Sequence, residues 1–227
     1  MILGINNISR ILTIGDDISI VIAAVYGIRI WKNSTIFWRI TILNVFLATI
    51  TEVIGYIYKQ KHSNDVIPFN IYILIAMWLL VSAALLLINK KTASIITLIF
   101  SLINTYVWFY FINNNGINVF ANWALVCSSV LIAAIYFITF IQLFSNNTLQ
   151  ISKQPVFWLC VAIIIYYCAN IPIFSMLNYL NEKNLALATK LYLINIVLGM
   201  VYYSLMSYSF YVYHKSAKAI KITSNGG

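Results

Sequence analysis

Residues 37–58 read FWRITILNVFLATITEVIGYIY, an apolar run interrupted by Arg39 at its start and by Glu52 deep inside it. About 20 apolar residues at 1.5 Å of rise per residue cross the roughly 30 Å of a bilayer's hydrocarbon, so the stretch reads as a membrane-spanning helix. Within it Asn44, Ala48, Glu52, Gly55 and Lys59 recur at helical spacing and form one narrow stripe of small and polar groups on an apolar cylinder. The apolar back suits acyl chains, and the stripe must face other helices. A carboxyl group in hydrocarbon costs at least a few kcal/mol, and such residues usually mark a function. Glu52 is therefore the first candidate site residue.

The rest of the chain repeats this pattern. Of the 227 residues 62% are hydrophobic and 8% charged, against roughly a quarter charged in soluble domains. Apolar runs place seven spans at about 16–31, 37–58, 69–88, 93–112, 118–144, 155–177 and 186–213. The expected fold is all-α, a single seven-helix transmembrane bundle, with 214–227 as a basic, flexible cytoplasmic tail. Asp16 and Asp17 open the first span, where the helix macrodipole favours acidic groups, and read as a solvated outer feature. Pro68 and Pro155 suit first helical turns. The run Asn113-Asn114-Asn115-Gly116 is a turn signal. Pro172 interrupts the sixth span and marks a kink and candidate hinge.

The net charge of +9 does not indicate a nucleic-acid binder, because the basic residues sit in short loops beside the spans. With the N-terminus outside, the inner side holds Arg29, Lys32, Arg39, Lys90, Lys91, Lys153, Lys215, Lys218 and Lys221, and no acid. The outer side holds five basic residues, Arg10, Lys59, Lys61, Lys183 and Lys190, alongside Asp16, Asp17, Asp65 and Glu182. The excess of Lys and Arg predicts an N-out, C-in protein of the inner, or cell, membrane. No basic n-region with a small-residue cleavage site opens the chain, so no cleaved signal peptide is expected.

Polar stripes recur on other spans. The fourth gives Thr97, Ser101, Asn104 and Trp108; the fifth gives Asn122, Ser129 and Tyr136; the seventh gives Asn195, Gly199, Tyr202, Met206 and Ser209. Asn and hydroxyl groups in spanning helices mostly serve as packing bonds between helices. Their depths nonetheless cluster in the outer half, together with Glu52 and Asn170. The stripes predict a polar, outward-facing cavity with candidate ligand-binding residues Glu52, Asn122, Asn170, Asn195, Asn104, Trp108 and Tyr202.

Catalytic signatures are sparse. The two histidines, His62 and His214, lie at span ends, which speaks against intramembrane metalloprotease or serine protease chemistry. Cys127, Cys160 and Cys168 fall within spans as buried apolar residues, and neither a metal site nor a cofactor is expected. Lys190 stands at a span end, too shallow for a retinal Schiff base. No loop is long enough for an ion filter. The expectation is a non-enzyme; the one carboxylate-dependent alternative is a dyad in which Glu52 recruits Asp16 or Asp17.

The segments Thr51-Glu52-Val53-Ile54-Gly55-Tyr56, Pro68-Phe69-Asn70-Ile71-Tyr72-Ile73-Leu74, Gln154-Pro155-Val156-Phe157-Trp158 and Ile165-Tyr166-Tyr167-Cys168-Ala169-Asn170, in this order, resemble a group of small, uncharacterised seven-helix membrane proteins common in Bacteroidota. The resemblance covers residues 36–213. Members often carry a second intramembrane Glu in the third span, where this chain has Ile75-Ala76-Met77-Trp78. Their genes often stand beside sensor histidine kinases, which by analogy implies a sensory or accessory role. Two functions are expected from this reading, beside a third in which the chain is a purely structural subunit. One is a receptor-like or accessory signalling protein that binds a small polar or lipid-like ligand and contacts a histidine-kinase-type partner through its basic inner face. The alternative is a small-solute carrier with Glu52 as proton or cation site.

Overall fold

A computed structural model describes residues 2–62, 66–88, 91–146 and 151–224. Lys90, Asp65 and the Gly226-Gly227 end of the expected tail lie outside the described residues. The elements are α1 (Ile2–Trp31), α2 (Ile36–His62), α3 (Val66–Leu85), α4 (Lys91–Asn115), α5 (Asn122–Asn146), α6 (Pro155–Lys183) and α7 (Leu185–Ser224), with one short 3-10 turn at Ile151–Lys153. Each of the seven contains a stretch long and apolar enough to cross a membrane. The protein is an all-α membrane protein with seven such spans.

Two boundaries differ from the sequence expectation. The first span is Ile8–Trp31, not 16–31. Ile8, Ile11 and Ile14 extend its apolar surface by more than two turns, so Asp16 and Asp17 sit inside the span instead of opening it. At the other end α7 continues through Ser224, and 214–224 is helix where a flexible tail was expected. Ala217, Ala219 and the lysines among them are good helix formers, and no Gly or Pro intervenes before Gly226.

Local chemistry sets the turns. Gly116 ends α4 at φ 83°, with its N–H donating to Ile112 at 2.9 Å, the left-handed cap that glycine accepts without steric cost. Asn184 serves two helices. Its N–H donates to the Leu180 carbonyl to close α6, and its side-chain oxygen accepts the Leu187 N–H to cap α7. Pro155 occupies the first turn of α6 after extended Gln154. Pro172 lies on an exposed face of α6, which remains one helix from Pro155 to Lys183.

Neighbour contacts run α1–α2–α3–α5–α6–α7 and back to α1, a closed ring of six helices. Helix α4 stands outside the ring, packed on α3 and α5. Thr97, Ser101, Asn104 and Trp108 are its buried residues, and the remaining faces carry exposed Ile, Leu, Phe and Tyr suited to lipid. Two close approaches fix α1 in the ring. Gly27 admits Ile42 of α2, and Gly15 admits the Met200 side chain of α7. The Tyr26 and Tyr211 rings meet edge-on at 6.4 Å further along α1 and α7.

The ring is filled on one side only. The half that holds the C-terminal ends of α1, α3 and α5 packs Ile30, Trp38, Ile42, Leu80, Tyr136, Leu159, Ile163, Met206 and Phe210 into one apolar core, all at most 3% exposed. Two of its polar groups bond to carbonyls on neighbouring helices. Tyr136 donates to the Leu80 carbonyl at 3.2 Å, and Ser209 donates to the Pro155 carbonyl at 2.7 Å. This half is close-packed and dry.

A methyl group at Gly27 would stand 2.9 Å from Cγ2 of Ile42, a fully buried, χ1-stiff side chain. Gly27→Ala is expected to cost about 1–3 kcal/mol of stability by overpacking. Thermal unfolding in detergent checks this, and most of the loss should vanish when Gly27→Ala is made in an Ile42→Ala background.

Candidate functional site

The opposite half of the ring, on the side of the N-terminus, encloses a cavity of about 580 Å³. Every ring helix contributes to its wall. Helix α1 supplies Ser9, Thr13, Asp16 and Asp17; α2 supplies Ala48, Thr51, Glu52, Gly55 and Lys59. The start of α3 brings Phe69 and Tyr72, and that of α5 brings Asn122, Leu125 and Ser128. Helix α6 adds Tyr166, Phe174 and Asn181, while α7 adds Tyr192, Asn195, Gly199, Tyr202 and Tyr203. Met77, Ile132, Tyr167 and Tyr202 belong both to the wall and to the apolar core, so the dry half forms the floor. At the rim the Phe120 and Phe174 rings face each other at 5.8 Å. The wall reaches the surface at Asp17, Tyr56 and Lys59, which are exposed.

Helical period explains this convergence. The stripe Ala48, Glu52, Gly55, Lys59 is the α2 wall, and Asn195, Gly199, Tyr202 is the α7 wall. Glu52, Asn122, Asn195 and Tyr202 therefore meet around one space. The other sequence candidates do not. Asn170 is buried on α6 behind the wall, with its side chain beside that of Tyr166. Asn104 and Trp108 lie on α4, outside the ring. The Asn104 amide donates to Ser128 at 2.7 Å, and the Trp108 indole donates to the Asn70 carbonyl at 2.9 Å. Both bonds fasten α4 to its neighbours. Periodicity identified the buried face of α4 correctly, but a face does not name its partner.

Asn70 shows what a structural polar group looks like in this fold. Its amide donates to the Ile117 and Val119 carbonyls at 2.8 Å each, and its side-chain oxygen accepts the Ala121 N–H at 2.9 Å. One fully buried side chain thus ties down the loop between α4 and α5. Tyr202 is the opposite case. It is 3% exposed, and its hydroxyl has no hydrogen-bond partner.

A residue that the sequence reading left at the solvated edge now belongs to the wall. Asp16 is half-buried inside α1 and rests against Gly199 of α7. A side chain on residue 199 would put its Cβ 2.7 Å from Asp16 Oδ1, so only glycine lets the helix approach the carboxylate this closely. The missed signal was in the sequence: Ser9, Thr13 and Asp16 recur at four and three residues, the same stripe pattern as α2.

Beneath the carboxylates lies a tyrosine cluster. Tyr166 stacks on Tyr202 at 4.7 Å and 25°, and Tyr167 and Tyr203 meet Tyr202 edge-on at 6.4 and 4.8 Å. Tyr166 lies within electrostatic reach of both Asp16 and Glu52. Tyr72 lies within reach of Glu52 and beside the Tyr203 hydroxyl. The aromatic faces and the acidic groups therefore share one space. Among the described residues no group of three His, Cys, Asp or Glu could hold a metal ion.

The chain matches no protein-family model, no curated protein and no solved structure.

The two kinds of buried polar group predict opposite responses. Asn70→Ala removes three bonds and strands the Ala121 N–H, at an expected cost of about 2–4 kcal/mol. Tyr202→Phe removes only a partnerless hydroxyl and should leave stability unchanged or raise it by up to about 1 kcal/mol. Thermal unfolding of the two variants in the same detergent checks the contrast.

Proposed function

We propose that the chain is a receptor-like or accessory signalling protein of the membrane, which binds a small polar or lipid-like molecule in the cavity between its six ring helices. One observation carries the reading: a 580 Å³ space with aromatic and carboxylate walls opens at one end of the bundle and stops at a dry core. Small-ligand sites are typically concavities of about 300–1,000 Å³, largely apolar, with a few convergent polar groups. The excess of basic residues at the opposite end supports an outward-facing mouth. No described segment forms a separate output domain, so signalling requires a partner. In this reading the partner is a histidine-kinase-type protein at the basic inner face, near Arg29, Lys32, Arg39 and Lys215.

Glu52 in the wall also suits the second reading, a carrier that couples solute movement to a proton or cation. Gradient-driven uptake into proteoliposomes that disappears in Glu52→Gln supports the carrier and removes the receptor reading.

Water access to the cavity is measurable directly. In a background with Cys127, Cys160 and Cys168 replaced by Ala, Leu125→Cys in the cavity wall should react with a membrane-impermeant thiol reagent added from outside intact cells. Ile163→Cys in the apolar core should not. An unreactive Leu125→Cys removes the proposed binding site.

A further inference from the structure

We infer that the cavity is a site for an organic ammonium ion, held between the Asp16 and Glu52 carboxylates over the Tyr166, Tyr202 and Tyr203 rings. The inference rests on the binding reading above and names the chemistry of its ligand.

Charge distribution is the first argument. The chain has 14 basic and five acidic residues, yet among the described residues Asp16, Asp17 and Glu52 line this cavity with Lys59 as the one basic residue. These three acids and one base, counted among the described residues, line the wall and make it a negative hollow in a positive protein. Low-dielectric walls focus such a field and concentrate ions of the opposite sign.

Unspent acceptors are the second argument. Asp16 Oδ1 is buried without a hydrogen-bond partner, and so is Asn195 Oδ1, one turn before the Gly199 on which Asp16 rests. Tyr202, almost a turn beyond Gly199, adds a buried, partnerless hydroxyl. All three residues line the cavity. An unmade bond at a buried carboxylate is costly, and its stripe contains no basic residue to pair with it. These atoms are themselves covered by protein, so a bound ammonium acts on them through its charge, from the cavity side of the wall.

The aromatic wall is the third. Quaternary and protonated amines are held by ring faces as well as by carboxylates, because the face of an aromatic ring is negative. Tyr166, Tyr202 and Tyr203 line the cavity together with the two carboxylates and supply the aromatic part of its wall. A bare metal ion would leave most of the 580 Å³ unfilled, and the ligand set for one is absent among the described residues. An organic cation with an apolar body uses the phenylalanine rim and the tyrosines alike.

The test uses the full chain in nanodiscs of uncharged lipid. Leu125→Cys, in the cysteine-free background, is reacted with two thiosulfonates of the same size, one carrying trimethylammonium and one carrying sulfonate. After correction for their rates with free thiol, the cationic reagent should react at least about tenfold faster, an advantage of about 1.4 kcal/mol. Asp16→Asn and Glu52→Gln should each lower that ratio, and Lys59→Gln, at an exposed position, should raise it. Choline should slow labelling more than its neutral isostere 3,3-dimethyl-1-butanol. Reaction of both reagents at equal rates, or faster reaction of the anionic one, overturns the cationic assignment while leaving a water-filled site in place. Equal protection by choline and its isostere, or none by either, also overturns it. Failure of both reagents to react overturns the binding reading itself, and this inference with it.

Discussion

Hydrocarbon offers no hydrogen bonds, and this constraint decides the placement of every polar group in the bundle. Backbone groups satisfy it by forming seven helices. Side chains satisfy it by finding each other, and the ring shows where they succeed. Asn70 binds a loop, Asn104 binds Ser128, Trp78 binds Thr105, and Tyr136 and Ser209 bind carbonyls on neighbouring helices. Each bond joins two elements, and together they fasten α4 to the ring and close the dry half. Asp16, Asn195 and Tyr202 each keep an atom without such a bond, as do Asn44, Asn104, Ser129, Gln142 and Asn170 away from the cavity wall. What sets these three apart is their place: they stand along one wall of the hollow, around Gly199.

Glycine makes that arrangement sterically possible. Helices in a bilayer gain little from apolar burial against each other, so close packing carries much of their association. Gly15 and Gly27 bring α1 into contact with α7 and α2 through apolar side chains. Gly199 differs because what it admits is a carboxylate. The same device that packs the helix pair also places a charged group in the interior, a poor bargain for stability unless something else compensates.

The helical pattern of the sequence disclosed most of the fold and part of the site. The period of residues 37–58 defined both a span and its inward stripe, and Glu52 lies on the cavity wall as that stripe requires. The stripe on α4 was equally legible, yet α4 stands outside the ring. Periodicity reveals which face is buried but not against what, and Trp108 is consumed by a bond to Asn70 on α3. Asp16 was misplaced for the opposite reason. Two adjacent acids read naturally as the polar end of a helix, while the isoleucines before them carry the span past that point. The position of Asp16 against Gly199 depends on contacts between the first and last helices, which no local pattern encodes.

The two halves of the bundle have different mechanical characters, and α7 runs through both. Its inward stripe begins at the cavity with Asn195, Gly199 and Tyr202, continues through the dry core as Met206 and Phe210, and ends where the Tyr213 hydroxyl donates to the Asn33 carbonyl. Trp38 of α2 packs against both Phe210 and Tyr213, with ring centroids 6.0 and 4.9 Å away. A close-packed core resists compression, so a displacement imposed at its upper end moves elements instead of being absorbed. Asn33 belongs to the turn between α1 and α2, beside Lys32. A molecule that pushed Tyr202 or drew Asp16 from Gly199 would thus act on both ends of the same helix pair. In the signalling reading, this connection replaces the output domain: the cavity reports through α7 to the basic turn at the far end, where a partner would detect the shift.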